Sequence, residues 1–122
     1  MSQLILIVDD NENNRKLARD VLEFAGFETV EATGGVEAVA LTIEHLPALV
    51  LMDIRMPDMN GTEALKLLRE NSRTAEIPIV ALTSSTMRGD EQRFLAEGFD
   101  GYLAKPISVR EFPDQVRGFL KA

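Results

Sequence analysis

At 122 residues, with 45% hydrophobic and 27% charged side chains, the chain has the size and composition of one globular core, expected to span residues 1–122 as a single domain. It has no cysteine, which removes disulfides, thiolate zinc sites, iron-sulfur clusters and cysteine nucleophiles together. The net charge of -7, from 20 acidic against 13 basic residues, argues against direct nucleic-acid binding, because phosphate neutralisation needs a concentrated basic surface.

No apolar run approaches the roughly 20 residues that span a bilayer, and Met1-Ser2-Gln3 lacks the basic region of a secretory signal. A cytoplasmic protein without membrane insertion is therefore expected. One histidine and no tryptophan leave no His-rich metal site within the chain, so oxygen ligands remain.

Leu4 to Val8 is an unbroken, β-branched apolar run stopping at Asp9, the pattern of a strand buried on both faces of a parallel sheet. From Asn14 to Ala25, Leu17, Ala18, Val21, Leu22 and Ala25 recur at helical spacing, and Gly26 supplies a stop. Phe27 to Ala32 reads as a shorter, alternating strand. Thr33-Gly34-Gly35 breaks the chain before Val36, Val39, Ala40 and Ile43 resume the helical period. Pro47 ends that helix, and Leu49 to Met52 is a third strand with Asp53 at its carboxyl end.

A loop with Pro57 and Asn60-Gly61 leads into a helix carrying Leu65 and Leu68. Ile77 to Leu82 reads as a fourth strand despite Pro78, and delivers Thr83 and Ser84 to the same edge. A weaker amphipathic stretch around Phe94, Leu95 and Ala96 ends at Gly98. Gly101 to Ala104 is a short fifth strand finishing at Lys105-Pro106, and a last helix includes Val116, Phe119 and Leu120. If Ser108 and Glu111 form a capping box, Pro113 falls beyond the first turn, so this helix is expected to start late or bend.

Five strands alternating with five helices through short loops predict a doubly wound α/β fold with right-handed crossovers onto a parallel sheet. In such sheets ligands bind beyond the carboxyl ends of the strands. Those ends carry Asp9 and Asp10, then Asp53, Thr83 and Lys105. Any one of them alone is most simply a turn former, a helix cap or a surface lysine; their coincidence at four strand ends is hard to reach by structural need. Two like charges about 4 Å apart repel by about 4 kcal/mol at an effective dielectric near 20. Lys105 offsets one charge, and a six-coordinate Mg²⁺ keeping several waters would offset two more.

These residues resemble the receiver domains of two-component response regulators, of the chemotaxis type in fold. The likeness covers the whole chain and rests on Ile7-Val8-Asp9-Asp10-Asn11, on Leu51 to Gly61 (LMDIRMPDMNG), on Pro78 to Thr83 (PIVALT), and on Gly101 to Pro106 (GYLAKP). It implies a flavodoxin-like (βα)5 three-layer sandwich with strand order 2-1-3-4-5. It also implies that Asp53 is the phosphoacceptor, that Asp9 and Asp10 hold Mg²⁺ together with Asp53 and the backbone carbonyl of Arg55, and that Lys105 is the phosphate counterion. Thr83 would be the switch hydroxyl, Tyr102 the switch aromatic and Pro106 a cis proline. Arg55 and Ser85, two residues beyond Asp53 and Thr83, would tune the phosphoryl lifetime, Arg55 lengthening it.

The residue types suit these roles. Mg²⁺ between the Asp53 carboxylate and an incoming phosphoryl group lowers the barrier to attack by an anion on an anion. Lys105 offers a compact charge and Thr83 a hydroxyl donor. Taken alone, Tyr102 could merely pack, and Arg55 could simply pair with Glu12 or Asp58 at the surface. The lone His45, before Leu46-Pro47 at a helix end, reads as an exposed residue favourable to the helix dipole, which leaves the phosphoryl donor to a histidine of a partner.

The likeness thus implies a stand-alone response regulator served by a histidine kinase or His-containing phosphotransferase. It would catalyse only its own phosphorylation and autodephosphorylation, and would signal to a downstream protein through the face of the fourth helix, fifth strand and fifth helix. A receiver excised from a hybrid histidine kinase reads the same, and a phosphorylation-independent pseudo-receiver is a further alternative. A haloacid dehalogenase-type phosphatase would need a second Asp where Arg55 stands. A flavin module would need a Ser-, Thr- or Gly-rich loop where Asp9-Asp10-Asn11-Glu12 would repel phosphate.

Overall fold

Apolar runs that alternate with amphipathic ones fold here into five strands and five helices in strict succession. The structure is a computed structural model and describes residues 3–83 and 90–120. The strands are β1 (Leu4–Val8), β2 (Glu28–Ala32), β3 (Leu49–Asp53), β4 (Ile79–Thr83) and β5 (Gly101–Ala104). The helices are α1 (Glu12–Phe24), α2 (Gly35–His45), α3 (Gly61–Glu70), α4 (Asp90–Glu97) and α5 (Phe112–Phe119). All strand pairs are parallel in the order β2-β1-β3-β4-β5, so the winding reverses between β1 and β3.

The central strands β3 and β4 are buried at every position, as their unbroken apolar runs require. Alternate residues feed two cores. Leu6, Val8, Val50, Met52, Ile79 and Ala81 pack with Ala38, Leu65, Leu68 and Phe94 of α2, α3 and α4. Ile5, Ile7, Leu49, Leu51, Val80 and Leu82 pack with Leu22, Phe112 and Val116 of α1 and α5. Each fully buried Leu, Ile, Val or Phe contributes about 1.5–3 kcal/mol relative to its exposed state.

Several boundaries differ from those the apolar pattern suggests. The first helix starts at Glu12, because the Asn11 side chain accepts the Asn14 amide at 3.0 Å and caps a polar first turn that periodicity cannot register. The second strand starts at Glu28, after Gly26 at φ 101°. The fourth strand starts at Ile79, two residues later than expected. The Ile77 amide is spent in a turn on the Thr74 carbonyl, and Pro78, with no amide to donate, only accepts from Val50. The last helix does begin late. Its N-cap is Glu111, Pro113 falls in the first turn where a missing N–H costs nothing, and the Glu111 amide donates to Ser108 Oγ at 3.3 Å. His45 ends α2, exposed, with Nε2 3.9 Å from Glu44.

At the amino edge of the sheet, Arg69 of α3 fastens several segments. Its guanidinium donates to the carbonyls of Ala75 (2.9 Å), Ile77 (2.7 Å) and Gly98 (3.1 Å) and pairs with Asp100 at 2.7 Å. Asp100 in turn accepts the Ile79 amide at 2.8 Å, so one side chain joins the end of α3, the entry to β4 and the α4–β5 turn.

Candidate active site

The parallel register sets Val8 beside Ala32 and Met52, Asp53 beside Leu82, and Thr83 beside Ala104, so the residues at these strand ends emerge on one edge. There a cleft of about 270 Å³ is lined by Asp9, Asp10, Asn11, Asn14, Asp53, Ile54, Arg55, Thr83 and Lys105.

Asp9 is 1% exposed, and its surroundings fix it. Its Oδ1 accepts the Asn11 amide at 2.9 Å, its own amide donates to the Ala32 carbonyl at 3.1 Å, and its carbonyl accepts Arg15 Nη1 at 2.8 Å. Arg15 is held by Glu31 of β2 at 3.2 Å, and Arg19 reaches the same carboxylate at 3.1 Å. Asp10, next along, is exposed. Asp53 is 6% exposed, and its Oδ1 accepts the Arg55 amide at 3.3 Å. Directly after it the backbone passes close under α3: a Cβ at Gly61 would stand 2.7 Å from the Asp53 carbonyl oxygen, so only glycine fits.

One carboxylate oxygen from each of Asp9, Asp10 and Asp53 lies within 4.8 Å of the other two. Lys105 Nζ reaches in from the end of β5, 2.7 Å from Asp9 Oδ2 and 3.3 Å from Asp53 Oδ1. Burial pushes the Asp53 carboxyl above the ordinary carboxylate range; the Lys105 ammonium pulls it down and the Asp9 charge adds to the rise. Burial works against the Lys105 charge, but its hydrogen bond to Asp9 and the charges of Asp53 and Asp9 outweigh that and raise its pKa. The cleft thus holds three hard oxygen donors and one internal cation. Their spacing and chemistry fit a divalent ion such as Mg²⁺ that retains several waters.

Thr83, the last residue of β4, is buried at the cleft wall, with its carbonyl accepting the Lys105 amide at 2.8 Å. The Lys105–Pro106 peptide bond is cis. Tyr102 is half-buried, its ring 6.3 Å from that of Phe94 at 43°, packed on the α2–α3–α4 side of the sheet. The Arg55 side chain is exposed and, among the described residues, pairs with neither Glu12 nor Asp58. Asp58 instead accepts the Gly35 and Val36 amides. Ser85 lies outside the described residues. The contacts of Arg15 with Glu31 and of Asp58 with the start of α2 are not foreseen from the sequence, where Asp58 stands only as a surface partner for Arg55. Each acts across 16 to 23 residues of chain, a separation that no periodicity or short motif records.

Comparison with known proteins agrees with this arrangement. The family described as the response regulator receiver domain matches residues 5–117. The polar-differentiation response regulator DivK of Brucella ovis is 42% identical over 120 residues, covering 98% of each chain. The solved chemotaxis response regulator CheY4 of Vibrio cholerae superposes with a TM-score of 0.92 at 30% identity, over 98% of this chain and 100% of that one. The receiver domain of a sensor histidine kinase from Pseudomonas aeruginosa PAO1, solved with a magnesium ion coordinated in the active site cleft, gives a TM-score of 0.88 at 29% identity, over 98% of both chains. With its strand order, its acidic edge and a family match over nearly its whole length, the chain belongs to the response regulator receiver domains of two-component signalling.

Proposed function

We propose that Asp53 is the phosphoacceptor, and that residues 1–122 form one receiver unit phosphorylated by a histidine kinase or His-containing phosphotransfer protein. The observation that carries this is the convergence of Asp9, Asp10 and Asp53 on one cleft with Lys105 Nζ 3.3 Å from Asp53. Asp9, Asp10, Asp53 and the Arg55 backbone carbonyl are the residues that would hold Mg²⁺. When bound, the ion supplies charge neutralisation between carboxylate and phosphoryl oxygens.

An Asp53 oxygen forms the new P–O bond as the N–P bond of a partner's phosphohistidine breaks. The imidazole leaves with the bonding electrons and regains a proton from solvent. Lys105 is already positioned to turn from the carboxylates to the phosphoryl oxygens, and the Thr83 hydroxyl donates to another of them. The product is an acyl phosphate, which water returns to carboxylate and phosphate, so the protein catalyses only its own phosphorylation and dephosphorylation.

The switch follows from the same groups. A shift of Thr83 toward the phosphoryl group opens room behind β4 for the Tyr102 ring, now half-buried against Phe94, and alters the α4–β5–α5 face offered to a downstream protein. Arg55, exposed at the mouth of the cleft, and Ser85 tune how readily water reaches the phosphoryl group. The net charge of -7 accords with protein partners in place of nucleic acid. No helix among the described residues is long and apolar enough to cross a membrane, which accords with a cytoplasmic setting. The likeness to a sensor kinase's receiver domain supports a second reading, a receiver that works as part of a hybrid kinase.

Incubation with Mg²⁺ and acetyl phosphate followed by intact-mass measurement tests the central assignment. One phosphoryl mass is expected on the parent and none on Asp53→Asn; no added mass on the parent defeats it.

A further inference from the structure

Helix α2 starts at Gly35 behind a glycine N-cap, Gly34, which has no side chain to offer its first amides. Their acceptor comes from Asp58, 23 residues on in the β3–α3 loop: Oδ1 takes the Gly35 amide at 3.0 Å and Oδ2 takes the Val36 amide at 3.1 Å. A carboxylate is well matched to the positive end of a helix.

The two glycines are shaped for this visitor. A Cβ at Gly34 would stand 2.7 Å from Asp58 Oδ1, and one at Gly35 would stand 2.8 Å from Met59 Cβ. Gly34 has extended backbone, φ -167° and ψ 178°, which any residue adopts, so its dihedrals do not demand glycine; the approach of Asp58 does.

The same loop begins at Asp53 and carries Arg55. Its ends are tied by the Arg55 amide on Asp53 Oδ1, by the Gly61 amide on the Ile54 carbonyl, and by the Asn60 cap of α3 at 2.9 Å. Between Arg55 and Met59, the two Asp58 bonds are the side-chain hydrogen bonds that join the loop to another element among the described residues.

We propose that Asp58 is a positioning residue for the metal site, clamping the β3–α3 loop to the start of α2 so that the Arg55 backbone carbonyl is held toward the three carboxylates. This rests on the reading of the cleft given above. Outer contacts that orient metal ligands change metal affinity by about 10- to 100-fold when removed. A clamp three residues from the ligand belongs at the lower end of that range.

The test is calorimetric Mg²⁺ titration of the full chain as parent, Asp58→Ala, Asp58→Asn, Gly34→Ala and the Asp58→Ala/Gly34→Ala double variant, with thermal unfolding in EDTA run alongside. Asp58→Ala is expected to bind Mg²⁺ about tenfold more weakly. Asp58→Asn, which keeps one acceptor oxygen, should fall between it and the parent. Gly34→Ala should weaken binding by crowding the carboxylate out, and the double variant should be no weaker than Asp58→Ala, because both changes break one contact. At saturating Mg²⁺ the acetyl phosphate reaction of the variants should recover the parental maximal rate, a split that general destabilisation would not produce. If Asp58→Ala fails to fold, Asp58→Asn and Gly34→Ala decide the matter. Variants within twofold of the parent's affinity, or a double variant whose losses multiply, overturn the clamp alone. A parent that takes up no Mg²⁺ overturns the reading of the cleft, and the clamp falls with it.

Discussion

Replacing Asp53 by Asn should make the metal-free protein more stable at neutral pH, at the cost of the proposed phosphoacceptor. The Asp53 carboxylate is 6% exposed and lies within 4.8 Å of carboxylate oxygens on both Asp9 and Asp10. At an effective dielectric near 20, each such repulsion costs about 3.5 kcal/mol and the attraction to Lys105 across 3.3 Å returns about 5 kcal/mol. Asp10 is exposed and its share is screened, so the pairwise terms nearly cancel and the desolvation of Asp53 decides the sign. Lys105 is not orphaned by the change, because Asp9 stays 2.7 Å away. The expected gain is on the order of the desolvation penalty of a buried polar group, about 1–3 kcal/mol, or roughly 4–12 °C in Tm for a domain of this size.

The sign carries a pH signature. A carboxyl whose pKa is raised on folding costs stability wherever the unfolded chain has released the proton, because the folded state there either keeps it or ionises at a penalty. The advantage of Asp53→Asn should therefore be absent below the ordinary carboxylate pKa of about 4, grow with pH between that value and the elevated one, and be full above the elevated one. Thermal unfolding of both proteins in EDTA at several pH values measures this. Mg²⁺ at 100 times its dissociation constant should then stabilise the parent by about 2.7 kcal/mol and the Asn variant much less. An Asn variant no more stable than the parent at pH 7, or one whose advantage is the same at pH 4, would refute the reasoning.

Lys105→Ala leaves two buried carboxylates with no internal cation, and should lower metal-free stability by about 1–3 kcal/mol while slowing phosphorylation by acetyl phosphate, read by unfolding in EDTA and by mass kinetics. Arg55→Ala should shorten the lifetime of the acyl phosphate, followed by loss of phosphoryl mass after donor removal; an unchanged rate counts against the shielding role. Arg69→Ala strips three carbonyls and Asp100 of their donor and should cost about 2–3 kcal/mol in urea unfolding, yet leave the phosphorylation rate at the opposite edge within about twofold. Gly101→Ala drives a methyl into the Phe119 ring and should cost about 1–3 kcal/mol, with the same assay as the check.

The centre of the sheet was legible because β1, β3 and β4 are buried on both faces. Leu4 to Val8 and Leu49 to Met52 announce themselves as runs, and the acids that stop them, with the Lys105 that follows Gly101 to Ala104, line the cleft. Where the signal was polar it faded: nothing apolar marks Glu12 as the start of α1, and only the Asn11 cap explains it. The groups that hold the site from outside were illegible for a related reason. Arg15 and Asp58 earn their places by contacts with Glu31 and Gly35, and a lone sequence carries no record of which distant backbone will arrive beside a given side chain. Gly34-Gly35 read only as an interruption, although its smallness is the imprint of Asp58 and Met59.

The Arg69 knot also bears on how the proposed α4–β5–α5 switch face could rearrange. It fixes the Gly98–Asp100 corner to α3 and β4, so α4 and β5 share an anchored fulcrum at the end of the molecule remote from the carboxylates. On the proposed switch, rearrangement started near Thr83 would take the form of a swing about that corner, with leverage growing toward the proposed chemical end, and a partner gripping the far tips of these elements would sense the largest displacement.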